Sequence, residues 1–250
     1  KRSRPKGKLT DELSAVIKEK LEQTWSPEQI AHTVTSCKVS FKTIYNWLYA
    51  GALPSVDVKR LRHKGKRRKA EKRGKFTYGM SISQRPEEVK SRTSFGHWEL
   101  DSAVSSHGEG KGYLATFIER KSRLYTAIKM PNRTAGSIYN AVSKLHRALP
   151  IDAFKTGTTD RGKEFACWQA VKARLGLPLY FADPYSSWQR GSNENSNGLL
   201  REFYLKKTDL ALVDRQELTA NLFLINSRPH KCLGWKSPIQ VFLHEVTHLT

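Results

Sequence analysis

The chain has 250 residues, 38% of them hydrophobic and six of them tryptophan, which allows one large and one small domain and argues against global disorder. Lys and Arg number 44 against 23 Asp and Glu, and the net charge of +21 points to a polyanionic partner, nucleic acid before an anionic membrane surface. No apolar run reaches the roughly 18 residues a membrane helix needs; no secretory leader pattern is present; and three scattered cysteines, Cys37, Cys167 and Cys232, suit free thiols in a reducing cytoplasm better than disulfides or zinc.

The chain starts at Lys1 rather than Met, as a fragment lacking an N-terminal part would. Leu9 to Trp25 places Leu13, Val16, Ile17 and Leu21 on one helical face. Ser26-Pro27-Glu28-Gln29 then reads as a helix start, with Ser at the N-cap, Pro at the first helical position and Gln three residues on. That second helix packs through Ile30, Ala31 and Val34. After a turn through Val39, Ser40 caps a third helix, Phe41 to Tyr49, with Ile44, Trp47 and Leu48 inward. Three short helices, the last two joined by a brief turn, predict a helix-turn-helix. In that motif the last helix enters the major groove by its N-terminal end, which turns Ser40, Lys42, Thr43 and Asn46 toward DNA. From Lys59 to Lys75 there are 11 basic residues in 17 positions and almost nothing apolar. Such a segment cannot bury a core; it reads as a basic strap along the DNA backbone, with Lys64, Lys66, Arg67, Arg68 and Lys69 at its centre.

From Phe95 the pattern changes. His97 to Ser105, Tyr113 to Glu119 and Leu124 to Met130 read as strands, with a turn at Gly108 to Gly112. An amphipathic helix follows from Thr134 to Leu149. Then come a strand at Phe154 to Thr159, a helix at Phe165 to Leu175, a strand at Leu179 to Ala182, and helices at Glu194 to Phe203 and Asp214 to Asn226. Sequential strands followed by alternating helices and strands predict a mixed five-stranded α/β sheet with helices on both faces. The expected division is residues 1–53 as a DNA-binding domain, 54–94 as a basic linker and 95–250 as a catalytic domain.

Three acids carry the chemistry. Asp101 closes the run His97 to Asp101 within the first strand, Asp160 ends the fourth, and Glu194 opens a helix 34 positions further on. With the first strand central and the fourth parallel beside it, Asp101 and Asp160 point into one crevice. This is a ribonuclease H-like arrangement, with the third acid from a later helix. Converging carboxylates repel unless cations lie between them, and two divalent ions would clamp both sides of a phosphate. Oxygen-only ligands favour Mg²⁺, with Mn²⁺ as substitute. Asn197 and Arg201 share a helical face with Glu194 and suit ordering a metal-bound water and holding a phosphate. Arg190 and Lys163 are further DNA contacts. Glu99, two positions before Asp101 on the same strand face, is a supporting acid rather than a ligand. Glu164 reads as a decoy, Asp183 as structural, Trp235 as a packing residue and the histidines as core or surface groups.

The residues themselves resemble a family. Gly96 to Asp101, Glu119 to Arg123, Thr159 to Phe165, Phe181 to Gly198 and Arg228 to Pro238 are similar to segments of the bacterial insertion-sequence transposases of the insertion sequence thirty class, as are Trp25 to Ile30 and Thr43 to Tyr49. The run Ala182 to Gly191 is very specific to it. The resemblance implies a ribonuclease H-like fold and a catalytic triad of Asp101, Asp160 and Glu194. It further implies cleavage that frees a 3′-hydroxyl at the element's end and joining of that hydroxyl to target DNA. Leu100, Leu205 and Lys207 depart from the family's usual Gly, Pro and Gly, and a further upstream helix-turn-helix common in the family does not precede Lys1. Pairing of two DNA ends implies a dimer or larger assembly on double-stranded DNA, in a bacterial cytoplasm at the nucleoid. The alternatives left open are a site-specific repressor without catalysis and a ribonuclease H-type nuclease.

Overall fold

The computed structural model describes residues 9–53, 56, 79–105, 112–183, 186–205 and 208–249, and of residues 187, 188 and 194 the backbone alone. The central strap residues Lys64, Lys66, Arg67, Arg68 and Lys69 lie outside the described residues. The chain divides into two compact units, Lys1–Lys69 with Ser227–Ser237, and Ala70–Asn226 with Pro238–Thr250. These bounds differ from the expected 1–53, 54–94 and 95–250. A stretch far along the sequence belongs with the N-terminal helices.

In the N-terminal unit, α1 (Asp11–Glu22), α2 (Pro27–Thr33) and α3 (Phe41–Tyr49) form where they were expected. Ile17, Leu21, Ile30, Ile44 and Leu48 interlock as their core. The start of α2 is a capping box. Ser26 Oγ accepts from Gln29 N at 3.3 Å, and Gln29 Oε1 accepts from Ser26 N at 2.7 Å. Gln29 also donates through Nε2 to the Pro229 carbonyl at 2.7 Å. Beside it Lys231 pairs with Glu28 at 3.0 Å, and the Trp235 ring stacks on His32 with centroids 4.4 Å apart. Trp235 is therefore a packing residue, as expected. Ser26→Ala is expected to destabilise this unit by about 1 kcal/mol, read as a lower unfolding midpoint in denaturant.

The second unit holds a sheet in the order β1-β6-β5-β2-β3-β4. Its strands are β1 (Met80–Ser81), β2 (His97–Val104), β3 (Tyr113–Glu119), β4 (Tyr125–Met130), β5 (Thr156–Thr159) and β6 (Leu179–Phe181). The sheet thus has six strands where five were expected. The extra strand lies inside the span assigned to the linker and pairs parallel to β6. It is set by a close approach. Gly79 has φ +126°, and a Cβ there would meet the Phe181 ring at 2.4 Å, so a residue with a side chain could not enter the strand this way. A short helix, α4 (Glu88–Ser91), follows before β2.

Strand β2 pairs antiparallel with β3 and parallel with β5. Alternation sends Trp98 and Leu100 to one face, with Phe117, Phe154 and Val142 in one core. Ala103, Leu114, Ile118 and Tyr125 go to the other face, with Leu200 and Ile225. Helices α5 (Ala135–Ala148) and α6 (Trp168–Leu175) cover the first face; α7 (Gly191–Phe203) and α8 (Arg215–Asn226) cover the second. The pattern does not finish at Asn226. Helix α9 (Pro238–Val246) adds Phe242, whose ring lies 5.3 Å from Phe95 and 6.1 Å from Trp98. Its sequence signal was present in Ser237-Pro238-Ile239-Gln240, which repeats the Ser-Pro-x-Gln of the α2 start. Among the described residues no helix is long and apolar enough to cross a membrane.

Candidate active site

Strand pairing brings the first two acids together. Strands β2 and β5 run parallel with Glu99 level with Thr158. The same register places Asp101 level with Asp160, one residue past the end of β5. One guanidinium spans the two carboxylates. Arg190 Nη2 lies 3.3 Å from Asp160 Oδ2, and its Nη1 lies 3.6 Å from Asp101 Oδ2. Arg190 was expected to contact DNA; here it is the counter-charge of the pair.

The remaining oxygens are held from the backbone and from α7. Asp101 Oδ1 accepts from Ser102 N at 2.8 Å, and Asp160 Oδ1 from Gly162 N at 2.9 Å. Asn197 donates through Nδ2 to Asp101 Oδ2 at 3.1 Å, and its Oδ1 accepts from Tyr125 Oη at 2.7 Å. Burial pushes the Asp101 carboxyl up to about 6, with Asp160 and Glu164 adding to the rise and Arg190 opposing it. Burial, and next the Asp101 charge, hold the Tyr125 phenol far above its ordinary range, so it remains a donor.

Glu194 sits on α7, which begins at Gly191, three residues earlier than expected; its side chain lies outside the described residues. No local side chain caps α7. Its cap comes from β2. The fully buried Glu99 carboxylate accepts from Asn193 N at 3.0 Å and pairs with buried Arg120. Glu99, read from the sequence as a supporting acid, thus holds the first turn of the helix that carries Glu194. Arg123 donates to Ser192 Oγ at 2.8 Å in the same first turn. Arg201 gives Nη2 to the Val104 carbonyl at 2.7 Å, tying α7 to the end of β2 instead of facing outward to a phosphate.

Glu164 borders the acid pair without joining it. Its carboxylate accepts from Ser102 Oγ at 2.9 Å and from Arg133 Nε at 2.7 Å. Sequence reading missed Ser102, Arg133 and Tyr125. Only Ser102, next to Asp101, carried a local signal; the other two arrive through tertiary packing. His97 is a core residue, bonded through Nδ1 to Thr156 Oγ1 at 2.8 Å and lowered by burial to about 4. Asp183 is structural, exchanging two hydrogen bonds with Gln189. In the N-terminal unit Lys42 and Asn46 are exposed on α3 and Thr43 is half-buried, while Ser40 Oγ accepts from Thr43 N at 3.2 Å and so is engaged as a cap.

Among the described residues no group of three metal-ligating side chains is assembled, the Glu194 side chain lying outside them. The donor set nevertheless fits hard cations. Two carboxylates converge and are balanced by a single guanidinium, and each is already oriented by a backbone N–H.

The chain is similar to several known proteins. The integrase core domain family matches residues 92–187. The transposase for insertion sequence element IS1086 of Cupriavidus metallidurans is 36% identical, covering 100% of this chain and 78% of the relative. Transposase InsI for insertion sequence element IS30A of Escherichia coli is 36% identical over 95% of this chain and 67% of the relative. The transposase for insertion sequence element IS4351 of Bacteroides fragilis is 31% identical over 94% and 74%. Among solved structures, the catalytic core domain of BIV integrase aligns with a TM-score of 0.48 at 17% identity, over 61% of this chain and 96% of that one.

Proposed function

Since the chain belongs to the IS30 family of bacterial insertion-sequence transposases, we propose that it is a DNA transposase acting by in-line displacement at phosphorus. It binds the inverted-repeat ends of an insertion sequence, cleaves there to free a 3′-hydroxyl, and joins that hydroxyl to target DNA. The observation that carries this reading is the placement of Asp101 and Asp160 level on adjacent parallel strands, sharing one guanidinium, beneath the helix that bears Glu194.

Asp101, Asp160 and Glu194 would hold two divalent cations, Mg²⁺ or in its place Mn²⁺. Bound there, such ions supply charge stabilisation to the attacking and leaving oxygens. The chain's own residues do the positioning. Ser102 N and Gly162 N fix the carboxylates, Glu99 fixes the start of α7, and Arg190, once released from the acids, suits a DNA phosphate. Ser40, Lys42, Thr43 and Asn46 at the start of α3 face the major groove, and Lys64, Lys66, Arg67, Arg68 and Lys69 follow the backbone. Two copies act together on paired ends, in a bacterial cytoplasm at the nucleoid.

The test is strand cleavage and joining of labelled inverted-repeat duplexes with Mg²⁺, by this protein and by Asp160→Ala. Random duplex and an RNA–DNA hybrid serve as comparison substrates. Nicking and joining of end duplexes alone, abolished by Asp160→Ala, is the expected result. Binding without cutting by the wild-type chain would support a repressor, and preference for the hybrid a ribonuclease.

A further inference from the structure

Tyr125 lies on the edge strand β4, away from the acids in sequence and without contact to the reacting centre. It is 1% exposed. Three polar groups of this residue are engaged by α7 and α8. Its backbone N–H donates to Asn226 Oδ1 at 2.8 Å, and its carbonyl accepts from Asn226 Nδ2 at 2.8 Å, so α8 fixes the residue in place. Its hydroxyl donates to Asn197 Oδ1 at 2.7 Å on α7. That bond, together with the Asp101 carboxylate, fixes which way the Asn197 amide points. With Oδ1 held by a donor, Nδ2 must face Asp101 Oδ2, where it sits at 3.1 Å. Ser102 N holds the other oxygen of the same carboxylate. The lone pairs left free on Asp101 are then those on the side of Asp160 and Arg190.

We propose that Tyr125 is a positioning residue for Asp101, acting through the Asn197 amide to aim the carboxylate at the shared site. The inference rests on the transposase reading and names a part of the machinery that the triad does not contain. Without the phenol hydroxyl, Asn197 Oδ1 loses that donor and the amide is held at Asp101 by Nδ2 alone. It can then pivot about that single contact, and the carboxylate loses the fixed donor that aims it. Burial holds the phenol far above its ordinary range, so the hydroxyl is present as a donor at neutral pH.

The test is Tyr125→Phe, which keeps the ring in its core and removes the hydroxyl alone. Three readouts separate positioning from packing. The side-chain amide resonances of Asn197, identified by their loss in Asn197→Ala, are expected to be shifted and slow to exchange in the wild-type chain, and to move and exchange faster in Tyr125→Phe. Methyl resonances of Leu200 and Ile225, which share the core with the ring, are expected to stay put. Mn²⁺ binding followed by electron paramagnetic resonance, and the cleavage rate, are expected to fall by about 10- to 100-fold, with affinity for end duplex unchanged. An Asn197 amide that looks the same in both proteins overturns the proposal. If the wild-type chain binds no Mn²⁺ and cuts no DNA, the transposase reading fails, and the amide resonances still decide the role of Tyr125. Should Tyr125→Phe not fold, Asn197→Ala with the ring intact must show the same weakening of Mn²⁺; unchanged affinity overturns the proposal.

Discussion

Asp101→Asn is expected to yield a protein that is more stable than the wild type at pH 7.5 without divalent cations, and that no longer cleaves DNA. The stability gain follows from the environment of the carboxyl. Burial first, then the charges of Asp160 and Glu164, push it up to about 6, and Arg190 only partly compensates. The folded state therefore holds this proton more tightly than the unfolded chain does. The resulting stabilisation is fully present below about pH 4 and is lost as pH rises through about 6. At pH 7.5 the ionised group costs the folded state roughly 1–3 kcal/mol, at 1.36 kcal/mol per pKa unit. Asparagine removes that charge at every pH. The wild-type chain should thus lose stability between pH 4 and 7 in a way the variant does not, seen in urea midpoints across that range. If Asp101 holds a metal as proposed, the activity loss should reach about a thousandfold or more, because a ligand oxygen and its charge go together. Adding Mg²⁺ should narrow the stability gap, since only the wild type gains binding energy from it. Superimposable pH profiles for the two proteins would sink the argument.

Glu99→Ala is expected to cost about 3–5 kcal/mol, among the largest effects of any single change in the second unit. Glu99 is fully buried and Arg120 is 3% exposed, so deleting the acid leaves a guanidinium in the interior without its counter-charge. The same deletion removes the acceptor for Asn193 N at the start of α7. These two losses can be told apart. Glu99→Leu combined with Arg120→Met removes both charges, and should recover most of the stability because a well-packed apolar pair avoids the desolvation cost. It should not recover cleavage, since α7 still lacks its cap and Glu194 rides on its first turns. Denaturant midpoints read the first effect. Hydrogen exchange at the Asn193 amide, faster in both variants, reads the second. A double variant as active as the wild type would show that Glu99 matters to Arg120 alone.

The fold was legible where a local rule sufficed. Ser26, Pro27 and Gln29 announce α2 by capping chemistry, and Ser40 announces α3, whose bounds come out as read. Alternation over β2 sorts Trp98 and Leu100 from Glu99 and Asp101, so the crevice follows once β5 is set parallel beside β2. What escaped is what distance along the chain hides. A two-residue strand at Met80 has no periodicity to detect; it exists because Gly79 lets the backbone against Phe181. Arg190 reads as one more surface cation in a basic protein, and only packing shows it against two aspartates. Tyr125 reads as an ordinary strand aromatic; its hydroxyl acquires meaning from Asn197, which lies on another element. Arg201 shared the right helical face, but the Val104 carbonyl lay within its reach and took one of its donors.

The composition of the N-terminal unit has a bearing on how the protein is made. Its three helices emerge from the ribosome long before residues 227–237, with Gln29 Nε2 and the His32 ring still waiting for Pro229 and Trp235. Those partners are translated only after every strand of the sheet and eight of the nine helices named above. At about 5–20 residues per second, some ten to forty seconds separate the two events. During that interval the nascent helices expose the face that Ser227–Ser237 later covers. A ribosome halted before Pro229 would release helices that lack this cover. The N-terminal helices thus wait for a segment made about 200 residues later.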